Sequence, residues 1–364
     1  MTGSLGVLAE VTPAFWQSTL IRVLLLGIIV PTGAAITAIL FLFKVMAWMQ
    51  SRTGPMEAGM IKKTKVIDGE RVMVHSGRGE LQLVAEVGKW LQKEDLVPDG
   101  ADRFAFKAAP FIVLGSTFLF FAAIPAGPGP AVAAMLPGGV FFILAVSSLS
   151  VIGVLMAGWG SNNKYALLGG IRAAGQLIAY ELPMVLAVIG VVILTGSLNL
   201  NDIVEAQANF KIGFLPIPFV VLQLPLFLVF LTAAQAELTQ SPFDMPVAES
   251  ELVAGYQVEY SGFRFLTFFL AEFATAFGFA ALVSTLFLGG WYIPIGIDPT
   301  SSVWYLLGPL VLLAKILFVS FLIFWIRFTY PRFREDQLQK LAWKYLIPLS
   351  LGWIVLTAVM VVVR

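Results

Sequence analysis

Apolar residues run along this chain in stretches long enough to cross a membrane, separated by short polar breaks and one long polar segment. A helix needs about 20 residues to cover ~30 Å of hydrocarbon. Eight stretches meet that length, near residues 18–48, 108–126, 139–158, 176–197, 214–234, 265–288, 303–326 and 343–363. The first is too long for a straight crossing, which implies tilt or projection at its Lys44–Gln50 end. Between the first two stretches the pattern changes twice. Residues Thr64 to Val74 alternate around Asp68-Gly69, the short-range signal of a β-hairpin. Over 80–93, Leu83, Val84, Val87, Trp90 and Leu91 share one helical stripe opposite Gln82, Glu86, Lys89 and Lys93, the pattern of an interfacial amphipathic helix. The expected fold is an all-α polytopic membrane protein with about eight transmembrane helices. It forms a single membrane domain over 1–364, with a hairpin insertion at 57–77, the amphipathic helix at 80–93 and an acidic loop at 235–264.

Composition agrees with that pattern. Hydrophobic residues make up 59% of the 364, charged residues only 12%, and the mean hydropathy is +0.88, whereas soluble domains are about a quarter charged. A net charge of +1 without a basic tail gives no footing for nucleic acid. The absence of Cys excludes disulfides and iron–sulfur clusters held by this chain alone, and a single His, His75, excludes a bis-histidine haem. His75 is expected to be a solvated loop residue. No charged n-region or cleavage site marks a signal peptide near residue 1. Eighteen Lys and Arg fall in the loops after the first, third, fifth and seventh stretches, against Lys211 and Arg364 on the other side and Arg22 near an interface. By the positive-inside rule both termini lie outside and the long loops face the cytoplasm.

Against that basic background, five acids share the loop after the fifth stretch: Glu237, Asp244, Glu249, Glu251 and Glu259, with Arg264 alone opposing them in the same segment. Glu181 and Glu272 lie inside apolar stretches, where an unpaired ion costs about 2.5–3.5 kcal/mol on insertion scales. Carboxylates beside low dielectric hold protons more tightly and exchange them nearer neutral pH. Pro183, two residues after Glu181, frees a backbone carbonyl and leaves a local polar pocket. A plainer reading stands beside this one: Asp244 capping a turn, Glu249 and Glu259 solvated, and Lys44 snorkelling to the interface. Lys315 is buried in an apolar stretch with no partner assignable from sequence.

Several strings together carry a resemblance. They are Trp159 to Gly170, then Arg172-Ala173-Ala174, Tyr180-Glu181-Leu182-Pro183, Asn201 to Gln207, Pro242-Phe243-Asp244-Met245-Pro246, Ala248 to Tyr256, Glu259-Tyr260-Ser261-Gly262 and Arg327 to Leu338. In this order the chain resembles the membrane subunit of respiratory complex I (NADH:quinone oxidoreductase) that adjoins the quinone site. The resemblance implies an eight-helix subunit of a proton-pumping complex in the cell inner (plasma) membrane. It would close the membrane side of a quinone chamber and begin a carboxylate proton path. Quinone would be substrate, this chain would bind no metal or iron–sulfur cluster, and electrons would come from a peripheral iron–sulfur subunit. The partners implied are the other complex I subunits, antiporter-like membrane subunits among them, and membrane lipid.

By motif position the resemblance assigns Arg52, Lys44, Glu86, Lys89 and Arg327 to the quinone passage, and Glu181, Glu237, Asp244, Glu249, Glu251, Glu259 and Glu272 to the proton and coupling path. Read without it, Arg52 and Arg327 would anchor helix ends to lipid phosphate. The chain departs from the family pattern in places: Leu42-Phe43-Lys44 stands where an acid is usual, Gln240 where arginine is usual, Val247 where a loop carboxylate is usual, and 57–77 is longer than usual. Two other functions fit the same helices, the homologous subunit of an energy-converting hydrogenase or related complex and a stand-alone ion transporter. Arg52 and Arg327 favour the quinone version, and no internal hydropathy repeat supports a transporter.

Overall fold

The computed structural model describes residues 27–56, 58, 62–67, 70–75, 79, 81–125, 136–212, 215–293 and 304–363. Among them seven helices are long and apolar enough to cross a membrane. They are α1 (Gly27–Met49), α3 (Arg103–Phe121), α4 (Gly139–Gly160), α5 (Lys164–Thr195), α8 (Gly262–Phe287), α9 (Trp304–Thr329) and α10 (Glu335–Val363). Shorter elements lie between them: the strands β1 (Lys62–Ile67) and β2 (Glu70–His75), then α2 (Gln82–Gln92), α6 (Leu200–Asn209) and α7 (Leu224–Glu237). Strands β1 and β2 pair antiparallel, with Ile67 opposite Glu70 and Lys62 opposite His75.

The fifth apolar stretch departs from the expected single span. It breaks into a turn of helix at Phe219–Leu222 and then α7, which at 14 residues reaches only about 21 Å. Proline is the cause. Pro216 and Pro218 precede the helix and Pro225 lies in its first turn, where a ring without an N–H is tolerated; further inside it would collide with the carbonyl four residues back. Two other helices start earlier than hydropathy suggests. Helix α5 runs 32 residues and takes in Lys164 and Arg172, which hydropathy assigns to a loop; α10 starts at Glu335 instead of near 343. Hydropathy sees only the oily part of a helix, whereas capping sets its true end. Asn162 adopts a left-handed conformation (φ 49°), which Asn tolerates, and the Asn163 side chain accepts the Tyr165 N–H at 2.8 Å.

In the bundle α3 packs on α4, α4 on α5, and α5 on α7 and α10, while α8 touches α1, α3 and α9. Within the apolar window of α8, 72% of residues are buried, against 17% for α10, so α8 is the centre of the bundle and α10 its margin. The α4–α5 crossing depends on glycine: a Cβ on Gly158 would lie 2.7 Å from the Ala166 carbonyl oxygen and 3.1 Å from Gly170 Cα.

The links between α1 and α3, α4 and α5, α7 and α8, and α9 and α10 gather at one end of the bundle. There the Asp102 N–H donates to Gly160 O at 3.0 Å, Arg264 pairs with Asp95 at 2.9 Å, and the Phe333 N–H donates to Pro242 O at 3.0 Å. Helix α2 lies on α8 at that end, its Trp90 ring 5.6 Å from Phe265 and 5.1 Å from Phe269. Its apolar stripe divides. Leu83 and Trp90 pack inward, while Val84 and Leu91 stay 65% and 59% exposed.

Candidate functional site

The segment joining α7 to α8 is folded onto the bundle. Phe243, Met245, Leu252, Tyr256 and Tyr260 are buried, and the Tyr260 ring stacks on Phe106 at 4.2 Å while its hydroxyl donates to Phe106 O at 3.0 Å. Burial pushes both phenols, Tyr256 and Tyr260, well above their ordinary pKa, so they stay neutral. The first turn of the segment is braced by amides. Gln176 Nε2 of α5 donates to Ala236 O at 2.7 Å and Phe243 O at 2.8 Å, and Gln235 Nε2 donates to Ser241 O at 3.0 Å.

Behind that turn is a narrow cavity of about 60 Å³, room for a few waters at roughly 10–15 Å³ each. Hydroxyls from three helices line it, Ser116 and Thr117 of α3, Ser147 and Ser150 of α4, and Thr275 of α8, together with Glu237 and Glu272. The Thr117 and Thr275 hydroxyls lie 2.9 Å apart. Glu272 Oε1 accepts from Arg327 Nη1 and from Gln240 Nε2, each at 3.1 Å. The Arg327 guanidinium is 5.8–5.9 Å from the ring centres of Phe273, Phe324 and Phe328. An arginine does not lose its proton in a protein, so Glu272 faces a fixed cation held in an aromatic cage. Glu237 Oε2 is buried without a hydrogen-bond partner among the described residues. Glu181 accepts a hydrogen bond from the Ser148 hydroxyl, next to Ser147 of the cavity, and is close enough to Glu237 to repel its charge.

The other acids singled out from the sequence sit differently. Asp244 pairs with Arg332 at 3.1 Å; burial raises its carboxyl pKa, and Arg332 opposes that rise. Asp244 also feels the charges of Glu272 and Arg327, so it borders the same cluster. Glu251 is half-exposed and meets Arg172 at 2.5 Å, and the hydrogen bond from Arg172 holds its carboxyl below the usual range. Glu259 accepts from Asn163 Nδ2 at 2.6 Å. The side chain of Glu249 lies outside the described residues. Glu237 and Glu272 thus line the cavity, Glu181 lies within charge range of Glu237, Asp244 borders the cluster, and Glu251 and Glu259 face the start of α5.

Four of the five residues expected along a quinone passage lie around the end of α1 and on α2. Arg52 Nε donates to Gln50 Oε1 at 2.8 Å and Lys44 Nζ to Pro55 O at 2.7 Å. Glu86 accepts from Gln82 Nε2 at 3.1 Å, and the Lys89 ammonium is 5.5 Å from the Trp90 ring centre. The fifth, Arg327, is tied into the acid cluster. Arg264, the expected counter-charge of the acidic loop, pairs instead with Asp95; the loop's arginines are Arg172 and Arg332. Sequence reasoning passed over the hydroxyls that line the cavity, although Ser147-Ser148-Leu149-Ser150 in an apolar stretch signalled them. Lys315 finds its partners at the far end of the bundle, where Nζ donates to Leu288 O, Gly290 O and Tyr292 O at 2.7, 2.8 and 2.6 Å. These carbonyls follow the C-terminus of α8, the end that favours a cation. Among the described residues no group of three or more His, Cys, Asp or Glu could hold a metal.

A helical bundle of this length and hydropathy, with carboxylates, arginine and hydroxyls gathered around an internal cavity, defines a polytopic membrane protein with a polar interior site. Residues 21–358 match the family model described as NADH dehydrogenase, and the chain belongs to that family. It is 44% identical over 350 residues to the H subunit of an NADH-quinone oxidoreductase of Brevibacillus brevis, covering 95% of each chain. Similar proteins of the same name come from Anoxybacillus flavithermus (45% over 355 residues, 96% of this chain and 97% of the other) and Geobacillus kaustophilus (47% over 317 residues, 87% and 86%).

Proposed function

We propose that this chain is the membrane subunit of a proton-pumping NADH:quinone oxidoreductase, forming the membrane side of the quinone chamber and the first part of its proton path. Near full-length similarity to proteins named as the H subunit of NADH-quinone oxidoreductase supports the assignment. The observation that carries the proton path is Glu272, which touches a fixed arginine on one side and lines a hydroxyl-walled cavity shared with Glu237 on the other. A carboxyl so placed can take up and release protons along water and hydroxyl groups without an exposed charge crossing the bilayer.

Reduction of a quinone takes up two electrons and two protons. This chain has no Cys to ligate an iron–sulfur cluster, so it supplies walls and protons while other subunits supply electrons. The residues near the end of α1 and on α2 fit such a substrate. Arg52 and Lys89 offer donors to a headgroup oxygen, and Trp48, Val84 and Leu91 carry exposed apolar surfaces that suit an oily tail. The loop end, rich in Lys and Arg, would face the cytoplasm and meet the peripheral iron–sulfur subunits, and antiporter-like subunits would continue the membrane arm.

Glu272→Gln or Glu181→Gln in the assembled complex tests the path. Each keeps the size of the side chain but removes the exchangeable charge, and each is expected to lower quinone-linked proton pumping by roughly a hundredfold, the low end of the effect of losing a positioned proton carrier. Dye-quench measurements on inverted vesicles read this directly. Normal coupled turnover in both variants would refute the path.

A further inference from the structure

We propose that Gln240 is the positioning residue that sets the balance between the charged and the neutral form of Glu272 in this chain. The inference rests on the proton-path reading above and adds the group that tunes it. Glu272 needs different neighbours in its two states: as carboxylate it only accepts hydrogen bonds, and as carboxylic acid it must also donate one. Arg327 only donates, so it serves the carboxylate and has nothing to offer a carboxyl O–H. Gln240 carries both functions. Its Nε2 donates to Glu272 Oε1 at 3.1 Å, while its Oε1 is buried and without a hydrogen-bond partner among the described residues.

An unsatisfied buried amide oxygen is unfavourable, and here it belongs to the side chain already bonded to Glu272. A half-turn of the amide exchanges its two ends and presents Oε1 to Glu272. The main chain does not have to move for this. Gln240 O accepts the Phe243 N–H at 2.8 Å, Ser241 O accepts from Gln235, and Gln176 binds the carbonyls on either side of the turn. Gln240 is 2% exposed, so water does not compete for the amide from outside. The proton itself reaches and leaves Glu272 through the cavity, and the amide neither gains nor loses one.

The charges that bear on Glu272 come from several elements. Arg327 of α9 is bonded to it, Asp244 with its partner Arg332 borders it, Glu237 of α7 shares the cavity, and the Tyr256 phenol is within electrostatic reach. The polar groups that helix α3 presents to the cavity are the hydroxyls of Ser116 and Thr117, beside Val113 and Phe120. Lys44 of α1 and Glu86 of α2 are bonded elsewhere, to Pro55 O and Gln82. Gln240 is thus the neutral neighbour among charged ones and the place where a substitution changes the balance at Glu272 most directly.

The test uses the assembled complex in membranes, with quinone reductase turnover followed against pH and proton pumping measured alongside. Gln240→Arg adds a second cation that can only donate, and is expected to move the alkaline fall of turnover to lower pH by about one unit, the shift that a single hydrogen bond to a charged group produces. Gln240→Met keeps the length but removes both hydrogen-bonding ends, and is expected to lower the proton-to-electron ratio with the KM for quinone unchanged. Gln240→Glu, with one oxygen that can accept or donate, is expected to retain more pumping than Gln240→Met. Should Gln240→Arg fail to assemble, the Met and Glu variants still decide. Wild-type pH profiles and pumping ratios in the variants that assemble, with Glu272→Gln impaired, would overturn this inference alone. Normal pumping in Glu272→Gln and Glu181→Gln together would overturn the path on which it rests.

Discussion

At the scale of the residue, every described acid of the α7–α8 segment except Glu237 has a polar partner from elsewhere in the chain. Arg332 reaches Asp244 across 88 positions and Arg172 reaches Glu251 across 79. For Asp244 the pairing has a pH consequence. Burial raises its carboxyl pKa and Arg332 is the strongest group pulling it down, so Arg332→Gln removes that opposition and the carboxyl rises further. A carboxyl that binds its proton more tightly folded than unfolded adds stability at acid pH and loses it as pH climbs through the folded value. Arg332→Gln is therefore expected to destabilise the protein more at mildly alkaline than at mildly acid pH. Thermal unfolding of the detergent-solubilised complex at the two pH values checks this, and equal losses would contradict it. These pairings were not legible in the sequence, because charges tens of residues apart carry no local pattern. What could be read was the type of residue: Glu181 and Glu272 stood out as acids in oily surroundings, and both reach the polar interior.

At the scale of the element, the acidic segment sits where it does because α5 lets it approach. A Cβ on Gly169 would lie 2.7 Å from both Pro246 O and the Tyr256 nitrogen, backbone atoms that cannot swing aside. Gly169→Ala is expected to lift the segment off α5, at a cost of about 1–3 kcal/mol for overpacking. It should weaken the Arg172–Glu251 and Asn163–Glu259 contacts while the helices still insert. Faster limited proteolysis within 245–260, with unchanged helical circular dichroism, is the expected result; unchanged proteolysis would refute it. Hydropathy located the membrane helices, since a long apolar run in lipid has little choice but helix. It missed the polar first turns of α5 and α10, which depend on caps, and it smoothed over the prolines that divide the fifth stretch. The amphipathic stripe of α2 was visible, but that only part of it would be covered by α8 was not.

At the scale of the whole molecule, the chain has a packed interior and an apolar margin of which α10 is the largest part. It has no Cys to hold an iron–sulfur cluster, so on its own it is expected to catalyse no quinone reduction. Purification under mild detergent should recover it with subunits that bind iron–sulfur clusters and with antiporter-like membrane proteins; a chain that purified alone and transported ions in vesicles would reverse the functional assignment.

Helices α8 and α9 are fastened to each other at two places, where Arg327 holds Glu272 near the loop end and Lys315 grips the carbonyls that follow α8 at the other. Two rivets leave a pair of rods free to tilt as one body but not to slide past each other. A push delivered at the loop end, through Arg332 just beyond α9, would then move the two rods together toward the far face of the bundle.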